Sequence, residues 1–265
     1  MTTPNSTLMI HRPGSHRVSL TDLRYNIPTP MAMGPRHKPI PHWQLVEAIA
    51  EQVAARGWTV AKQELAVARK GHMLFGVMDL RRGGPDPRIS NALSPLPEGL
   101  GTCFGFRSST NQSFALRGVA GTRVFVCDNM ALSGSEFVMR HKLTLHLNLP
   151  MLISQALNKF IHQSQQLIEA LDRMRLTLLS DQAAKTRIFD LFNQGAMPLH
   201  LFDDVSRFYF KPTEEEPDCQ PRTAWGLHNA CTRAMKVLSP AAHYTNTLNV
   251  GRVFQMANAE PVNMV

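Results

Sequence analysis

The chain has 265 residues, of which 43 % are hydrophobic and 18 % are charged, and this composition excludes a disordered protein. A chain of this length can bury a sizeable core without help from metals or disulfides. The four cysteines are far apart, and none forms a C-x-x-C pair, which excludes a zinc ribbon or a dithiol redox motif. They are Cys103, Cys127, Cys219 and Cys231.

We predict a cytoplasmic protein with no membrane partner. No apolar run reaches the roughly 18 to 20 residues needed to cross a bilayer. The first residues, MTTPNSTLMIHRPGSHR, lack the apolar centre of a signal peptide.

The net charge of +8 lies entirely in the first half of the chain. Residues 1–150 contain 17 lysines and arginines against 9 acidic residues, whereas residues 151–265 contain 11 of each. A basic surface attracts polyanions and speeds the encounter with them. Composition alone is equally consistent with a solvated basic surface that aids solubility.

Residues 1–40 are predicted to form an extended basic arm. Six prolines and little apolar periodicity argue against regular structure there. From Pro41 the apolar residues recur at helical spacing, and Gly57 is a plausible terminator, which predicts a short amphipathic helix. The periodic residues are Trp43, Val46, Ala50 and Val53.

Residues 41–150 are predicted to combine this helix with an antiparallel sheet. Residues 60–68 and 73–80 favour a hairpin, because the turn 69–72 contains a glycine that can adopt a positive φ. After an irregular loop at 81–100, further strands are predicted, with Leu143, Leu145 and Leu147 on one face of the last and Lys142, Thr144 and His146 on the other. Those strands are 102–107, 113–119, 123–128 and 136–147.

Residues 151–265 are predicted to be helical and to pack on the sheet, so that the chain forms one domain of the α+β class. Apolar residues at alternating spacings of four and three predict a long amphipathic helix over about 150–180, which either packs on the sheet or forms a homo-oligomer seam. The stripe consists of Ile153, Leu157, Phe160, Ser164, Leu167, Leu171, Met174 and Leu178. Further helices are predicted at 181–193, 223–238 and 245–257, with an exposed acidic loop at 211–221.

No catalytic constellation, metal site or cofactor site is predicted. The phosphate loop, the dinucleotide fingerprint, the nucleophile elbow and the H-E-x-x-H helix are all missing from the sequence. His141 and His146 would point to opposite faces of a strand. The adjacent carboxylates at 203–204 and 214–216 are expected to be solvated rather than tuned for acid and base catalysis.

Basic and aromatic residues interleave between positions 103 and 142. Arginine matches phosphate oxygens, and an exposed aromatic ring can stack on an unpaired base, although strand phenylalanines more often lie in a core. The aromatic residues are Phe104, Phe106, Phe114, Phe125 and Phe137. The predicted nucleic-acid-binding residues are Arg107, Arg117, Arg123, Arg140 and Lys142, together with Arg69 and Lys70 in the hairpin turn.

Two blocks of sequence, residues 106–134 and 225–234, resemble a family of phage, prophage and plasmid proteins of unknown function typified by YfjQ and YafZ. The resemblance implies a role in the biology of bacterial mobile elements and brings no catalytic residues with it. The order of elements is also similar in outline to the ring-forming single-strand annealing proteins of phages. The matching residues are Arg107, Ser108, Arg123, Val126, Cys127, Asp128, Asn129, Gly134, Trp225, Asn229 and Ala230.

The leading hypothesis is a non-catalytic nucleic-acid-binding protein of a mobile element that favours single-stranded DNA and binds or anneals it. The alternative is a protein-interaction or counter-defence factor whose basic half binds an acidic host protein. An enzyme whose motif is not recognisable is the third hypothesis.

Overall fold

A seven-stranded sheet dominates the first half of the chain. The computed structural model describes residues 14–29, 31–82, 100–124, 133–141, 145–216, 219–220, 222–254 and 262–263. The first six strands lie in chain order and pair antiparallel, and the seventh pairs parallel with the sixth. The strands are β1 (Ser15–Val18), β2 (Trp58–Ala68), β3 (Met73–Arg82), β4 (Leu100–Ser109), β5 (Leu116–Val124), β6 (Ser133–Met139) and β7 (Val262–Asn263).

Helices make up most of the second half, so the predicted α+β class is confirmed. The helices are α1 (Leu20–Tyr25), α2 (His42–Ala54), α3 (Leu145–Leu176), α4 (Asp181–Asn193), α5 (Phe202–Phe210), α6 (Ala224–Ala234) and α7 (Pro240–Val253). Short 3-10 turns precede α5 and follow α6. None of the helices in the described ranges is long and apolar enough to cross a membrane.

The hairpin prediction for β2 and β3 is confirmed, but the prediction of a break inside β5 is wrong. Ala120 and Gly121 were expected to form a turn between two strands. They lie within the single strand β5, where they pair with Phe104 and Cys103 of β4. A glycine inside a strand is tolerated when its neighbours on both sides keep the ladder.

The prediction of a strand over 136–147 is also wrong beyond Met139. Strand β6 ends at Met139, and Leu145 and Leu147 already belong to α3. Leucines at alternating positions over five residues fit a strand and a helix equally, so local pattern alone did not separate the two. Pro150 therefore lies inside α3 rather than before it.

Part of the predicted N-terminal arm is regular structure. Strand β1 pairs with β2 through Ser15 opposite Ala68, so it forms the first edge of the sheet. Helix α1 follows at once, capped by Ser19, whose hydroxyl accepts the Asp22 N–H while the Asp22 carboxylate accepts the Ser19 N–H. Leu23 of α1 is buried in the core. Residues 31–41 are irregular, and residues 1–13 lie outside the described part.

The sheet is covered on both faces. Its main-core face carries Leu65, Met78, Phe104 and Phe137, which join α2, α3 and α6 in the larger core. The opposite face, here called the second face, packs under α7. It carries Ala66, Phe75, Val77, Cys103 and Val119, which contact Tyr244 and Leu248.

Two glycines make room for aromatic rings on the main-core face. A Cβ at Gly76 would lie 2.1 Å from the ring of Phe106, and one at Gly118 would lie 2.4 Å from the ring of Phe137. Each ring therefore lies directly on the backbone of the neighbouring strand. No side chain larger than the hydrogen of glycine fits at either position while the ring stays in place.

Helix α3 runs 32 residues along β5, β6, α2 and α6. Leu152, Ile153, Phe160 and Leu171 are buried, whereas Leu178 lies beyond the end of the helix and is exposed. Arg56, just after α2, joins that helix to α3 by donating from Nε to Asn158 Oδ1 at 3.0 Å. The face that includes Ile153 and Leu171 thus packs within the chain.

Candidate nucleic-acid interface

Five basic residues converge at one end of the sheet. Antiparallel pairing brings the β2–β3 turn, the β4–β5 turn and the end of β6 to the same edge, because Met73 pairs with Ser109 and Leu116 pairs with Met139. The irregular segment 31–41 crosses this edge. We call the group the basic sheet end; it consists of Arg36, Lys38, Arg69, Lys70 and Arg140, all of which are exposed.

Among the described residues, no acidic side chain pairs with these five cations. The segments that form the edge, residues 31–42, 69–73, 108–116 and 139–141, contain no aspartate or glutamate. Clustered unpaired cations create a positive potential that attracts anions.

Buried histidines fasten the irregular segment to the sheet. His141, next to Arg140, accepts the Ile40 N–H at Nδ1 at 3.2 Å, and its Nε2 lies 2.9 Å from Ser108 Oγ. Its carbonyl accepts the Lys38 N–H at 3.4 Å. His42 at the start of α2 reaches the Gly71 carbonyl from Nε2 at 3.0 Å. The positions of Lys38 and of the hairpin turn are therefore fixed relative to Arg140.

These imidazoles are neutral. Burial, and to a smaller extent the nearby His37, lower the pKa of His141 to about 4. Burial likewise lowers the pKa of His42 to about 4, against the hydrogen bond to Gly71. Because His141 accepts at Nδ1, its proton lies on Nε2 and is donated to Ser108. The charge of this end therefore comes from its arginines and lysines.

The hairpin turn holds its two basic residues in an unusual backbone conformation. Arg69, Lys70 and Gly71 have φ of 53°, 57° and 86°. Side chains other than glycine adopt this left-handed region at a cost. The turn is held by Thr110, whose N–H donates to the His72 carbonyl at 2.9 Å. Both cationic side chains extend from this turn into solvent.

A cavity of about 560 Å³ opens between the segment 34–37 and the β4–β5 turn. Arg36, His37, Arg140 and His141 line it together with the half-buried Phe114. His37 accepts the Met33 N–H at Nδ1 at 2.9 Å, which places its proton on Nε2. That Nε2 is buried and has no hydrogen-bond partner in the described structure.

Arg107, which was predicted to contact phosphate, is not part of the basic sheet end. Arg107 lies on the second face and is 8 % exposed. Its guanidinium donates to the Ala241 carbonyl at 3.0 Å and to Thr245 Oγ1 at 3.1 Å, both on α7. It also lies about 5 Å from the ring centres of Phe114 and Tyr244. Arg107 therefore attaches α7 to the sheet.

Arg117 and Arg123 also lie outside the basic sheet end. Arg117 is the cross-strand partner of Arg107 on the same face and is half-buried. Arg123 pairs with Gly101 near the other end of β5, about 23 Å along the strand from Leu116. Lys142 lies outside the described residues. Arg69, Lys70 and Arg140 are the predicted residues that the fold brings together.

Sequence reasoning missed that Arg36 and Lys38 belong to this site. They were predicted only as part of an extended basic arm that either drapes over the domain or stays mobile. The contact that places the segment joins His141 to Ile40, and these two residues are 101 positions apart in the sequence. Such long-range contacts leave no local pattern.

Three of the five phenylalanines between positions 103 and 142 lie in the core rather than on a stacking surface. Phe104, Phe106 and Phe137 are fully buried on the main-core face, as the core interpretation expected. Phe114 is the partly exposed member, and Phe125 lies outside the described residues. Among the described residues, no three histidine, cysteine or carboxylate side chains cluster as metal ligands would.

One predicted solvated carboxylate is in fact structural. Glu216, in the loop expected to be exposed, is buried. It accepts from Thr213 N at 2.9 Å and lies 3.3 Å from Arg207 and 3.5 Å from Arg233. Its charge is thus used to join α5 to α6.

The second block of the family resemblance forms the most buried helix. Nine of the eleven residues of α6 are buried, and Trp225 stacks on His228 with ring centres 5.3 Å apart. Comparisons of the chain with protein-family models, with curated proteins and with solved structures give no match. The resemblance to the YfjQ and YafZ proteins therefore stays a prediction.

Proposed function

We propose that this protein binds nucleic acid through the basic sheet end, without catalytic turnover, and that it favours single strands. The observation that carries the proposal is the convergence of five exposed cations on an edge whose segments contain no acidic residue. Three of them, Arg69, Lys70 and Arg140, come from strand ends, and two come from the segment that the histidines hold in place.

The chemistry of this surface suits a phosphate backbone. Each lysine or arginine that neutralises a phosphate releases condensed counterions, which drives binding at low salt. Arginine can also donate two parallel hydrogen bonds to one phosphate. Because buried histidines and the turn geometry fix the underlying backbone, binding has to order the cationic side chains but not the backbone that carries them.

Single strands are favoured because the cavity beside Arg140 can accept a unit that is not base-paired. Its wall includes the half-buried ring of Phe114. An unpaired base has a free face that can stack on an aromatic ring. A duplex would present only its phosphates to the same surface.

The test is a titration of single-stranded DNA, duplex DNA and single-stranded RNA over a range of salt concentrations. The test variant is K38Q/R69N/K70N, in which asparagine replaces the two left-handed residues because it tolerates that conformation better than most side chains. We expect the log–log salt slope for single-stranded DNA to fall by about two, since each lost contact removes about 0.7.

The matched control is K185Q/R187Q/K211Q, which removes three exposed cations from α4 and from the segment after α5. We expect its slope and affinity to remain those of the parent protein. Equal effects of the two triple variants would show that binding follows net charge alone. Absence of binding to every nucleic acid at low salt would overturn the proposal and favour an acidic host protein as the partner.

The resemblance to mobile-element proteins supports the same proposal from another direction. Proteins that protect or anneal single strands are needed wherever phage or plasmid DNA is copied and recombined. We therefore propose a role in the DNA metabolism of a mobile element. A counter-defence factor that binds an acidic host protein would use the same basic edge, and the duplex and single-strand titrations separate the two.

A further inference from the structure

We propose that the cavity next to Arg140 is a subsite for one nucleotide unit, with its phosphate near Arg36 and Arg140 and its base on the wall formed by Phe114. This inference rests on the proposed function and makes it more specific. It assigns the ligand class as a phosphorylated nucleotide, either free or at the end of a strand.

The size of the cavity fits such a ligand. Its volume of about 560 Å³ lies within the roughly 300 to 1,000 Å³ that is usual for sites of small organic ligands, and a lone inorganic anion would leave most of it empty. One part of the wall is apolar, formed by Pro35 and Phe114. A nucleotide has a base that can pack on this apolar part and a phosphate that can pair with the arginines of the lining.

The charge of the cavity fits an anion. Arg36 and Arg140 line it and are exposed, and none of its lining residues is acidic. Both histidines in the wall accept a backbone N–H at Nδ1, so each carries its proton on Nε2. The cavity wall thus offers hydrogen-bond donors rather than carboxylate acceptors.

An unpartnered donor points to a ligand as well. The Nε2–H of His141 is satisfied by Ser108, whereas the Nε2–H of His37 has no partner in the described structure although His37 is 5 % exposed. Buried donors are almost always paired, and an unpaired one is costly. Because His37 lines the cavity, a phosphate oxygen is the acceptor that we assign to this N–H.

Isothermal titration with thymidine 5′-monophosphate, thymidine and inorganic phosphate tests the proposal. We expect the monophosphate to bind more tightly than either fragment, and R36Q/R140Q to weaken it at least tenfold. The double variant K185Q/R187Q is the charge-matched control on α4 and should leave the affinity unchanged. The single variant Arg140→Lys keeps the charge, so it should bind the monophosphate more tightly than R36Q/R140Q and less tightly than the parent protein.

A second measurement detects the site even if one variant folds poorly. In the parent protein, the Nε2–H proton of His37 should shift in nuclear magnetic resonance spectra when the monophosphate is added, and it should not shift with thymidine. An unmoved resonance together with equal affinity for thymidine and the monophosphate would overturn the inference.

Recognition of strand ends is distinguished from binding of free nucleotides by comparing 5′-phosphorylated, 3′-phosphorylated and unphosphorylated oligothymidylates. Preference for one phosphorylated end assigns the subsite to strand ends, and monophosphate binding without any end preference assigns it to free nucleotides. If long single strands bind but none of these comparisons shows a dependence on phosphate, the proposed function is supported and the nucleotide subsite is rejected. If the monophosphate binds but long strands do not, the subsite is supported and nucleic-acid binding is rejected.

Discussion

The second face of the sheet and the basic sheet end both contain arginines, yet the two regions use them differently. Arg107 on the second face is enclosed by α7 and bonded to Ala241 and Thr245. Arg140, at the end of β6, is exposed and has no acidic partner among the described residues. The first arginine stabilises the fold, and the second is available to a ligand.

The position of a cation on a strand does not by itself determine its role. Arg107 and Arg140 belong to the same strand-rich segment, and each lies within three residues of a phenylalanine. What separates them is a helix that begins a hundred residues later and covers one face of the sheet. Substitutions of these two arginines test the distinction, because replacing Arg107 should lower stability and replacing Arg140 should weaken ligand binding.

The largest expected effect is a loss of stability in acid. His42, His141 and His228 have pKa values lowered to about 4 by burial, whereas an unfolded histidine titrates near 6.5. The unfolded chain then binds more protons between these values, so stability is full above pH 6.5 and falls as the pH drops towards 4. Each histidine contributes on the order of 3 kcal/mol to this loss. Denaturant unfolding at several pH values measures it.

The variant His141→Asn sharpens that test at the basic sheet end. Asparagine keeps an acceptor for the Ile40 N–H but has no group that titrates in this range. We expect the acid loss to shrink by about a third, since one of three shifted histidines is gone. Stability that is the same at pH 5 and pH 7.5 in the parent protein would show that these imidazoles are not held neutral.

The next effect separates the two arginines directly. Arg107→Met should lower the free energy of unfolding by about 2 to 4 kcal/mol, because it removes two hydrogen bonds and two aromatic contacts that hold α7. Arg140→Met should change it by less than about 0.5 kcal/mol, as is usual for an exposed side chain. Chemical denaturation of both variants measures the difference. Equal losses would mean that Arg140 is structural too.

The smallest effect concerns the hairpin turn. Lys70→Gly should leave the protein as stable or more stable by up to about 1 kcal/mol, since glycine adopts the left-handed conformation without a steric penalty. Lys70→Val, with a branched Cβ at the same position, should be destabilising. Thermal melts of the two variants compare them. A lower melting temperature for the glycine variant would indicate that the lysine stem contributes packing to the turn.

Much of the sheet could be predicted from the sequence, because its signals are local. The turn at Arg69 to His72 and the apolar residues on both sides predict the β2–β3 hairpin. The edge strand β1 was missed because prolines dominate the composition around it, although Ser19 and Asp22 stand at the spacing of a capping box. The boundary between β6 and α3 was misplaced because the leucines there fit both periods.

The site could be predicted only in part. Arg69 and Lys70 were recognised as candidates from their place in the hairpin turn, and Arg140 from the interleaving of basic and aromatic residues in a predicted strand. Their convergence with Arg36 and Lys38 depends on strand register and on contacts of His141 across about 100 residues, which no local pattern records. The burial of Arg107 depends on α7 in the same way.

The glycines under the aromatic rings have a consequence for how this sequence can change over time. The ring of Phe106 fills the space that a side chain at Gly76 would need, and the ring of Phe137 does the same at Gly118. A larger residue at either glycine is compatible with the fold only if the ring opposite becomes smaller in the same lineage. Among diverged copies of this chain, these positions should therefore vary as pairs, and the rings should be retained wherever the glycines are.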